Sequence, residues 1–594
     1  MLFFGAYSVN PANAERNICC SEPKTNVLVR PHTDAASAPA LSNAEIADRL
    51  ASLAQLLSAQ KENPYKVKAY QRAATRIRHL SESLDDMVRN DEDLTQFAGI
   101  GEAIASAIRE IVRTGTLAKL ETLRAGAAPA LASISQYPRL DPKRVIRIYK
   151  KLGLSTVEEL RERLESGEID KALGSRMAYH IRQGLTETHA MLLYHADNVR
   201  EAIEEFLIAR CGVRRVEVAG DYRRRVEIVE DIVFVIDTDD FAAVVARMQR
   251  YGGRTPLVSS ENGHAVFSLS SGILLRLQHA AKESWGYHLI NCTGSKGHLK
   301  KLTAACGPLP SSQSKRYESE SALYRRCNLR YIEPELREGH DEVDRARVGT
   351  LPKLVTVADI RGDLHAHSLA SDGADSIEDM ADAAHERGYE YIGISDHSQS
   401  LKIARGVSVE DLRAQIRFID KLNGRLRGIR VLKSSEVDIL ADGSLDYPDD
   451  LLKELDYSVC SIHSRFALGG KAQTERLLRA MDNRYCNILG HATGRLLLKR
   501  PGYQIDEDRV IAHARGNGCF LEINSSPDRL DVCADTARKA AAAGVLISIS
   551  TDSHSTRELE LIRCGTDQAR RSGLEKSQVL NCLPWTKLQR LFQR

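Results

Sequence analysis

Aromatic side chains make up only 5% of the 594 residues, too few for a β-sandwich built on aromatic packing. Lys and Arg (83) nearly balance Asp and Glu (80), for a net charge of +3. That excludes a uniformly basic, histone-like binder but leaves room for local basic surfaces. No apolar run approaches the roughly 18 residues that a membrane span needs, so no membrane partner is expected. Met1 to Ala6 is apolar but short and lacks a basic flank, and no apolar stretch precedes the cleavage-like Ala12-Asn13-Ala14; a signal peptide is not expected. The 12 cysteines are scattered, only Cys19 and Cys20 lie close together, and no Cys-x-x-Cys occurs. Neither a thiolate zinc site nor a disulfide framework follows from that pattern, and a cytoplasmic setting is expected.

What is present is an ordinary globular composition, 43% hydrophobic and 27% charged. At about 150 residues per domain, the length suggests about four folding units. Residues 1–40 read as a disordered tail, mixed polar and rich in Pro and Ala. Ser42-Asn43 opens a helical region whose first apolar stripe is Leu50, Leu53, Leu56 and Leu57. From about Val216 the pattern becomes β: "VEVAGDYRRRVEIVEDIVFVID" reads as strand, turn, strand, with further strands near Ala265–Leu269 and Ile273–Leu277. Residues 341–358 are charged, contain Gly349 and Pro352, and suit a linker. Beyond Asp359, seven β-rich segments alternate with helical ones: Gly362–His365, Tyr391–Ser395, Arg430–Ser435, Tyr457–Ile462, Asn487–Gly490, Cys519–Asn524 and Leu546–Thr551. That alternation predicts parallel strands with helices outside, a barrel-like α/β fold.

Ligand-type side chains sit where those strands end. His365 and His367 follow the first, with Asp372 in the loop beyond; His397 follows the second, Glu436 the third, His463 the fourth, His491 the fifth, and Asp552 with His554 the seventh. In a parallel barrel all strand C-termini open on one face, so nine donors converge there. His365 and His367 are i and i+2, and in extended backbone point to one side; Asp552 and His554 repeat the spacing. Imidazole mixed with carboxylate suits Zn²⁺, Mn²⁺ or Fe²⁺ better than calcium, and nine donors suit two or three ions. Such a cluster lowers the pKa of bound water towards about 7 and clamps phosphate oxygens, which points to phosphate-ester hydrolysis.

The stretches "GDLHAHSLASDG", "ISDHS", "SSEVDIL", "SIHS", "GHATGRLL", "EINSSPDRLD" and "STDSHS" resemble the polymerase and histidinol phosphatase (PHP) phosphoesterases over about residues 359–575. The resemblance implies a distorted seven-stranded barrel with up to three metals, and the family's nine ligands fall on His365, His367, Asp372, His397, Glu436, His463, His491, Asp552 and His554. Arg495 and Arg500, just beyond His491, are candidates to face phosphate.

Earlier in the chain, Gly99 and Gly101 introduce a helix at Glu102–Thr114. Glycines at a helix start let backbone N–H groups approach an anion. The pattern resembles a helix-hairpin-helix, with Lys66, Lys68 and Tyr70 of "ENPYKVKAYQRAA" available to the same DNA backbone. From about Leu41 to His340, "KENPYKVKAYQRAA", "AGIGEAIASAI", "VAGDYRRRVEIVEDI", "ESWGYHLINCTGSKGH" and "EPELREG" resemble the bacterial family X DNA polymerases that carry a C-terminal PHP domain. The resemblance implies a helical DNA-binding domain at 41–125, a helical fingers-like domain at 126–195, a nucleotidyltransferase-like palm and thumb at 196–340, and the PHP domain at 359–594.

The polymerase site departs from the family pattern. Two of its three metal-holding aspartates belong on an Asp-x-Asp strand, but here the strand reads Asp231-Ile232-Val233, and the third position falls on Arg276. Asp231 is a residual catalytic carboxylate; valine cannot ligate and arginine repels Mg²⁺, so Mg²⁺ or Mn²⁺ in this site is not expected. The Gly-Ser turn that helps hold triphosphate is Gly220-Asp221, Asn291-Cys292 replaces an aromatic pair, the hairpin near Tyr137–Lys143 lacks its glycines, and the lyase lysine aligns with Ala107. Binding of dNTPs is left open. Arg223, Arg224 and Arg225, with Lys143-Arg144 and Lys150-Lys151, could track phosphates. The expected enzyme is thus a DNA-repair, metal-dependent 3′→5′ exonuclease or 3′-end processor, with cleavage at abasic sites as a further activity, acting on gapped, nicked or 3′-end DNA. A competent gap-filling polymerase, in which Glu230 and another acid join Asp231, and a non-catalytic DNA-binding scaffold are the alternatives.

Overall fold

The computed structural model describes residues 41–125, 157–173, 190–307 and 317–593, apart from positions 61, 79, 81, 167 and 270–272. The expected tail and most of the fingers-like region, including the Tyr137–Lys143 hairpin and the basic pairs at 143–151, lie outside the described residues. All described residues belong to one unit, Ala40–Arg594.

Five helices open it: α1 (Asn43–Ala59), α2 (Pro64–Ile77), α3 (Leu84–Arg89), α4 (Glu102–Thr114) and α5 (Ala118–Ala125). Ser42 caps α1 in a reciprocal capping box with Glu45, satisfying N–H groups left over at a helix start. Leu50, Leu53, Leu56 and Leu57 are fully buried in the core of this small domain. Gly115, at φ +76°, ends α4; glycine adopts this left-handed cap without a steric penalty.

The helix Leu193–Ala209 of the central domain runs across the sequence-based boundary at residue 195. The domain's strands are β1 (Met191–Leu192), β2 (Arg215–Ala219), β3 (Ile228–Val229), β4 (Asp231–Asp237), β5 (Leu257–Glu261), β6 (His264–Ser268) and β7 (Leu274–His279). A mixed sheet runs β2-β4-β7-β6-β5, with β4 and β7 parallel. The helices Trp285–Thr293, Lys296–Cys306 and Glu320–Arg326 follow. Gly286 lies so close to the chain at Ser319 that a Cβ would stand 2.2 Å from its carbonyl carbon, so any larger residue would part these helices.

Two expectations are corrected here. Residues 341–358 are not a free linker: Glu342–Val348 is a helix with Val343 and Ala346 buried in the central domain's apolar cluster, and Val355 N donates to Leu574 O at 2.9 Å in the barrel. Cys306 and Cys327 form a disulfide across 21 residues, a pairing that thiols so far apart in sequence do not announce.

The last domain carries β8 (Gly362–Ala366), β9 (Tyr391–Ile394), β10 (Arg430–Lys433), β11 (Glu436–Asp438), β12 (Val459–Ser461), β13 (Ile488–Leu489), β14 (Phe520–Asn524) and β15 (Ile547–Ser550). β10 and β11 are two halves of one strand, interrupted at Ser434-Ser435. All neighbouring pairs are parallel, and bridges Ala366–Ser553 and His397–Glu436 join the two partial sheets. Seven strands thus follow one another in chain order, with β8 and β15 meeting at a seam. At the β8–β15 seam Asn581, fully buried, donates to Gly362 O and Ile549 O and accepts from Ile549 N. Leu580, Leu588 and Phe592 pack on Tyr391, Val459, Ile488 and Phe520 at the strand starts, so the C-terminal segment closes that end and leaves the other for chemistry.

Candidate metal centre and DNA-facing surfaces

Six of the seven strand ends deliver their predicted side chains to one rim, and Glu436 is the hub. Its Oε2 lies 3.5 Å from His365 Nε2, 3.7 Å from His367 Nε2 and 2.8 Å from His397 Nδ1. Its Oε1 lies 3.2 Å from His463 Nε2 and 2.8 Å from His491 Nε2. Asp552 Oδ1 stands 3.0 Å from His367 Nε2 and 3.5 Å from His365 Nε2. Asp372 Oδ1 stands 3.3 Å from His554 Nε2 and 3.6 Å from His397 Nε2. Three donor groups result, each with atoms mutually within 4.8 Å: His367, Asp372, His397, His554; His365, His367, Glu436, Asp552; and His397, Glu436, His463. They share His367, His397 and Glu436, and His491 joins through Glu436. All nine predicted ligands therefore meet.

The donors fit divalent cations. His365 Nε2, His367 Nδ1, His397 Nδ1, His491 Nδ1 and Glu436 Oε2 are buried without a hydrogen-bond partner. Buried polar atoms in folded proteins are ordinarily satisfied, so these orphans suit a metal centre. Outer partners fix the imidazoles, as ligating histidines require: Glu522 accepts from His365 at 2.8 Å and Asp438 from His463 at 2.6 Å. Asp396, buried, accepts from Ser368, Ser371 and Gln415 and so holds the loop between His367 and Asp372. Glu522 and Asp438 were not picked out from sequence; their place two residues along a strand from other polar side chains was the available signal.

Burial opposes ionisation of Glu436, yet His463 and His397 hold its carboxyl well below the usual range. Burial likewise works against Asp552, and His365 and His367 outweigh it. Asp372 is lowered to about 2, its burial overcome by His554 and His397. Burial works against protonating His463, but Glu436 and Asp438 lift it to about 10; against the same opposition, Asp372 and Asp552 lift His554 to about 9. Burial takes His367 down to about 4. The directions differ because His463 and His554 face carboxylates, whereas His367 is fully buried beside His397 and His554, which also disfavour its charge.

The two arginines proposed to face phosphate do something else. Arg495 Nε donates to Arg529 O at 2.9 Å and its Nη2 to Glu227 Oε1 at 2.6 Å. Arg500 donates to Gly494 O and stacks on Phe466 at 4.3 Å. Both guanidiniums are engaged in fixing loops. Arg529, absent from the sequence reading, reaches the centre: its Nε lies 3.5 Å from Asp552 Oδ2.

In the central sheet Arg276 pairs across from Val233 and its Nε lies 2.6 Å from Asp231 Oδ2. A guanidinium therefore stands against the one surviving carboxylate, and among the described residues no metal-holding donor group gathers there. This site does not fit Mg²⁺ or Mn²⁺.

The DNA-facing candidates divide. Gly99, at φ +87°, and Gly101 leave open space where side chains would be, and Gly101 caps α4 without a side-chain hydrogen bond, so an anion can approach the helix start. Lys66, on α2, neighbours Lys119. Tyr70 is a correction: it is buried in the helical core. Arg223 and Arg224 are corrected too. Arg223 is clamped by Glu320 at 2.8 Å and Glu217 at 3.0 Å; Arg224, 8% exposed, binds Glu338, Asp221 and Thr293 O. The acids Glu320 and Glu338 come from distant parts of the chain, so the run read as free to track phosphates. Ala107 is buried and offers no amine.

The helix-hairpin-helix domain family matches residues 41–117 and the PHP domain family matches residues 363–526. The DNA polymerase/3′-5′ exonuclease PolX of Bacillus subtilis (strain 168) is 32% identical over 567 residues, which cover 92% of this chain and 98% of the relative. The chain belongs to the family X DNA polymerases that carry a PHP domain. Two probable phosphatases match a smaller part. That of Thermoanaerobacter sp. (strain X514) is 28% identical over 37% of this chain and 89% of the relative, and that of Acetivibrio thermocellus is 29% identical over 33% and 80%. Among the described residues, the donor groups that could hold metal lie in this PHP domain. No described helix is long and apolar enough to cross a membrane.

Proposed function

We propose that this chain is a DNA-repair nuclease whose PHP barrel hydrolyses phosphodiesters at 3′ ends, 3′→5′, and cleaves abasic sites, while the helix-hairpin-helix and transferase-like domains hold gapped, nicked or 3′-end DNA. The observation that carries the reading is the meeting of nine donors at one rim, with orphaned buried nitrogens around Glu436. Two or three Mn²⁺, Zn²⁺ or Fe²⁺ ions held there would acidify water and neutralise phosphate charge. Glu436, which belongs to two of the donor groups, and Asp552 would supply carboxylate oxygens to the ions, and His365 and His463, oriented by Glu522 and Asp438, would supply imidazole nitrogens. Asp396 keeps the Asp372 loop in place. In the α4 region, Gly99 and Gly101 let phosphates approach the helix start.

A primer-extending polymerase is the weaker reading, because Arg276 occupies the ground a second carboxylate would need. A small-metabolite phosphatase would explain the barrel alone, but not the attached DNA-binding frame. The working place is taken as the cytoplasm. The test is cleavage of 5′-labelled DNA by wild type and His365→Ala. Shortening from the 3′ end by wild type alone supports the proposal; equal cleavage by both overturns it.

A further inference from the structure

We infer that Arg529 grips the phosphate at the barrel's metal centre and that Glu227, in the transferase-like domain, positions it through Arg495; the inference rests on the nuclease reading above. Among the described residues Arg529 is the one arginine or lysine within 4.0 Å of a ligand carboxylate, at 3.5 Å from Asp552. Its side chain is 22% exposed, so it is anchored at the rim yet open to a substrate. A guanidinium presents a fork of N–H donors that matches phosphate oxygens, and next to a cation cluster it would meet the oxygens the cations leave uncovered.

Arg529 N and Leu530 N donate to Ser526 O at 2.8 and 3.0 Å within the turn, and contacts from outside add to that. Arg529 sits on the turn after β14, and the next residue, Leu530, adopts φ +44°, a region L side chains disfavour. Three features fix that turn. The Leu530 side chain is buried against Leu192, Leu497 and Cys564, with Tyr194 and Ile228 alongside; Leu192, Tyr194 and Ile228 belong to the transferase-like domain. Leu497 N donates to Asp528 O at 2.6 Å. Arg495 donates to the carbonyls of both Arg529 and Leu530. Arg495 is in turn fixed by Glu227, 2.6 Å away, and Glu227 O is tied to Leu193 N at 3.0 Å. A barrel cut away from the rest would keep its nine metal donors and the Arg495 and Leu497 bonds to the turn, but would lose Glu227 behind Arg495 and the packing of Leu192, Tyr194 and Ile228 on Leu530. The polymerase-like domain, with its own metal site eroded, thus completes the nuclease site next door.

The experiment uses the full chain loaded with Mn²⁺ and four variants: Arg529→Ala, Arg529→Lys, Glu227→Ala, and Glu227→Ala with Arg529→Ala. Metal content, kcat and KM on 3′-end DNA, affinity for inorganic phosphate, and hydrogen exchange of the 527–531 amides are measured. Arg529→Ala should lower kcat about a hundredfold, the loss expected for one donor to a developing anion, with metal content unchanged, and Arg529→Lys should recover part of it. Glu227→Ala should lower kcat about tenfold, weaken phosphate binding and speed exchange of those amides. The double variant should match Arg529→Ala alone, since residues acting in one chain of contacts are not additive. Multiplying losses, loss of metal, or unchanged phosphate affinity would overturn the inference. Wild-type cleavage abolished by His365→Ala but untouched by the Arg529 and Glu227 variants would sink this inference and leave the nuclease reading standing. If wild type cleaves no DNA, the phosphate titration still decides whether Arg529 contacts the anion.

Discussion

Glu320 is the acid on which the central domain's arginines converge, so Glu320→Gln is an informative perturbation. Its carboxylate accepts from Arg223 at 2.8 and 2.9 Å, from Arg337 at 2.5 Å and from Tyr331 at 3.2 Å. Glu320 is 6% exposed and Arg337 fully buried. Burial alone would raise the Glu320 pKa; Arg223 and Arg337 instead lower it from 4.5 to about 2. At about 1.36 kcal/mol per unit, that displacement is worth about 3 kcal/mol of stability near neutral pH. Breaking a buried ion pair by removing one partner carries about the same penalty, 3–5 kcal/mol. Because the folded pKa is depressed, the contribution is complete above the unfolded value of about 4.5 and fades as pH falls towards about 2. It should be about 2 kcal/mol at about pH 3.5. The assay is urea unfolding of wild type and Glu320→Gln followed by fluorescence of Trp285, which is buried beside Glu217. A stability gap under about 1 kcal/mol at neutral pH, or one that does not shrink on acidification, would refute the reasoning.

Three further outcomes follow from other parts of the molecule. Wild type should fail to extend a gapped primer with Mg²⁺ or Mn²⁺ and dNTPs, whereas Val233→Asp with Arg276→Asp, which removes the guanidinium from Asp231 and adds two carboxylates, should bind Mg²⁺ in calorimetry; robust wild-type extension would contradict the eroded site. Gly99→Ala forces a left-handed φ on an L side chain at a penalty of about 1 kcal/mol and should weaken duplex-DNA binding several-fold in fluorescence anisotropy while leaving hydrolysis of bis(p-nitrophenyl) phosphate unchanged. Asn581→Ala removes three hydrogen bonds at the β8–β15 seam and should destabilise the barrel by about 3 kcal/mol, read as a lower unfolding midpoint.

The barrel was legible in the sequence because its parallel strands are short apolar runs, and all but the sixth are followed by a metal-ligand type of residue. His365 with His367, and Asp552 with His554, carry their geometry in their spacing. The edge strand β5 escaped notice: Leu257–Glu261 has one half-buried residue and four exposed ones, so it lacks the alternation that marks a strand. Arg223 and Arg224 read as phosphate-tracking because, beside the nearby Glu217 and Asp221, they are held by acids 97 and 114 residues away, which the run itself does not reveal. Arg529 stayed hidden for a related reason. Nothing in "SSPDRLD" announces that its guanidinium will meet Asp552, or that Arg495 will brace the turn rather than face the substrate.

The most direct test of the metal centre joins elemental analysis of the purified chain to cleavage of 5′-labelled DNA, comparing wild type with His365→Ala. The account predicts two or three divalent ions per wild-type chain, stepwise 3′ shortening that a chelator stops and Mn²⁺ restores, and loss of both metal and cleavage in the variant. A metal-free wild-type chain that still cuts DNA, or a variant that cuts as fast as wild type, would contradict it.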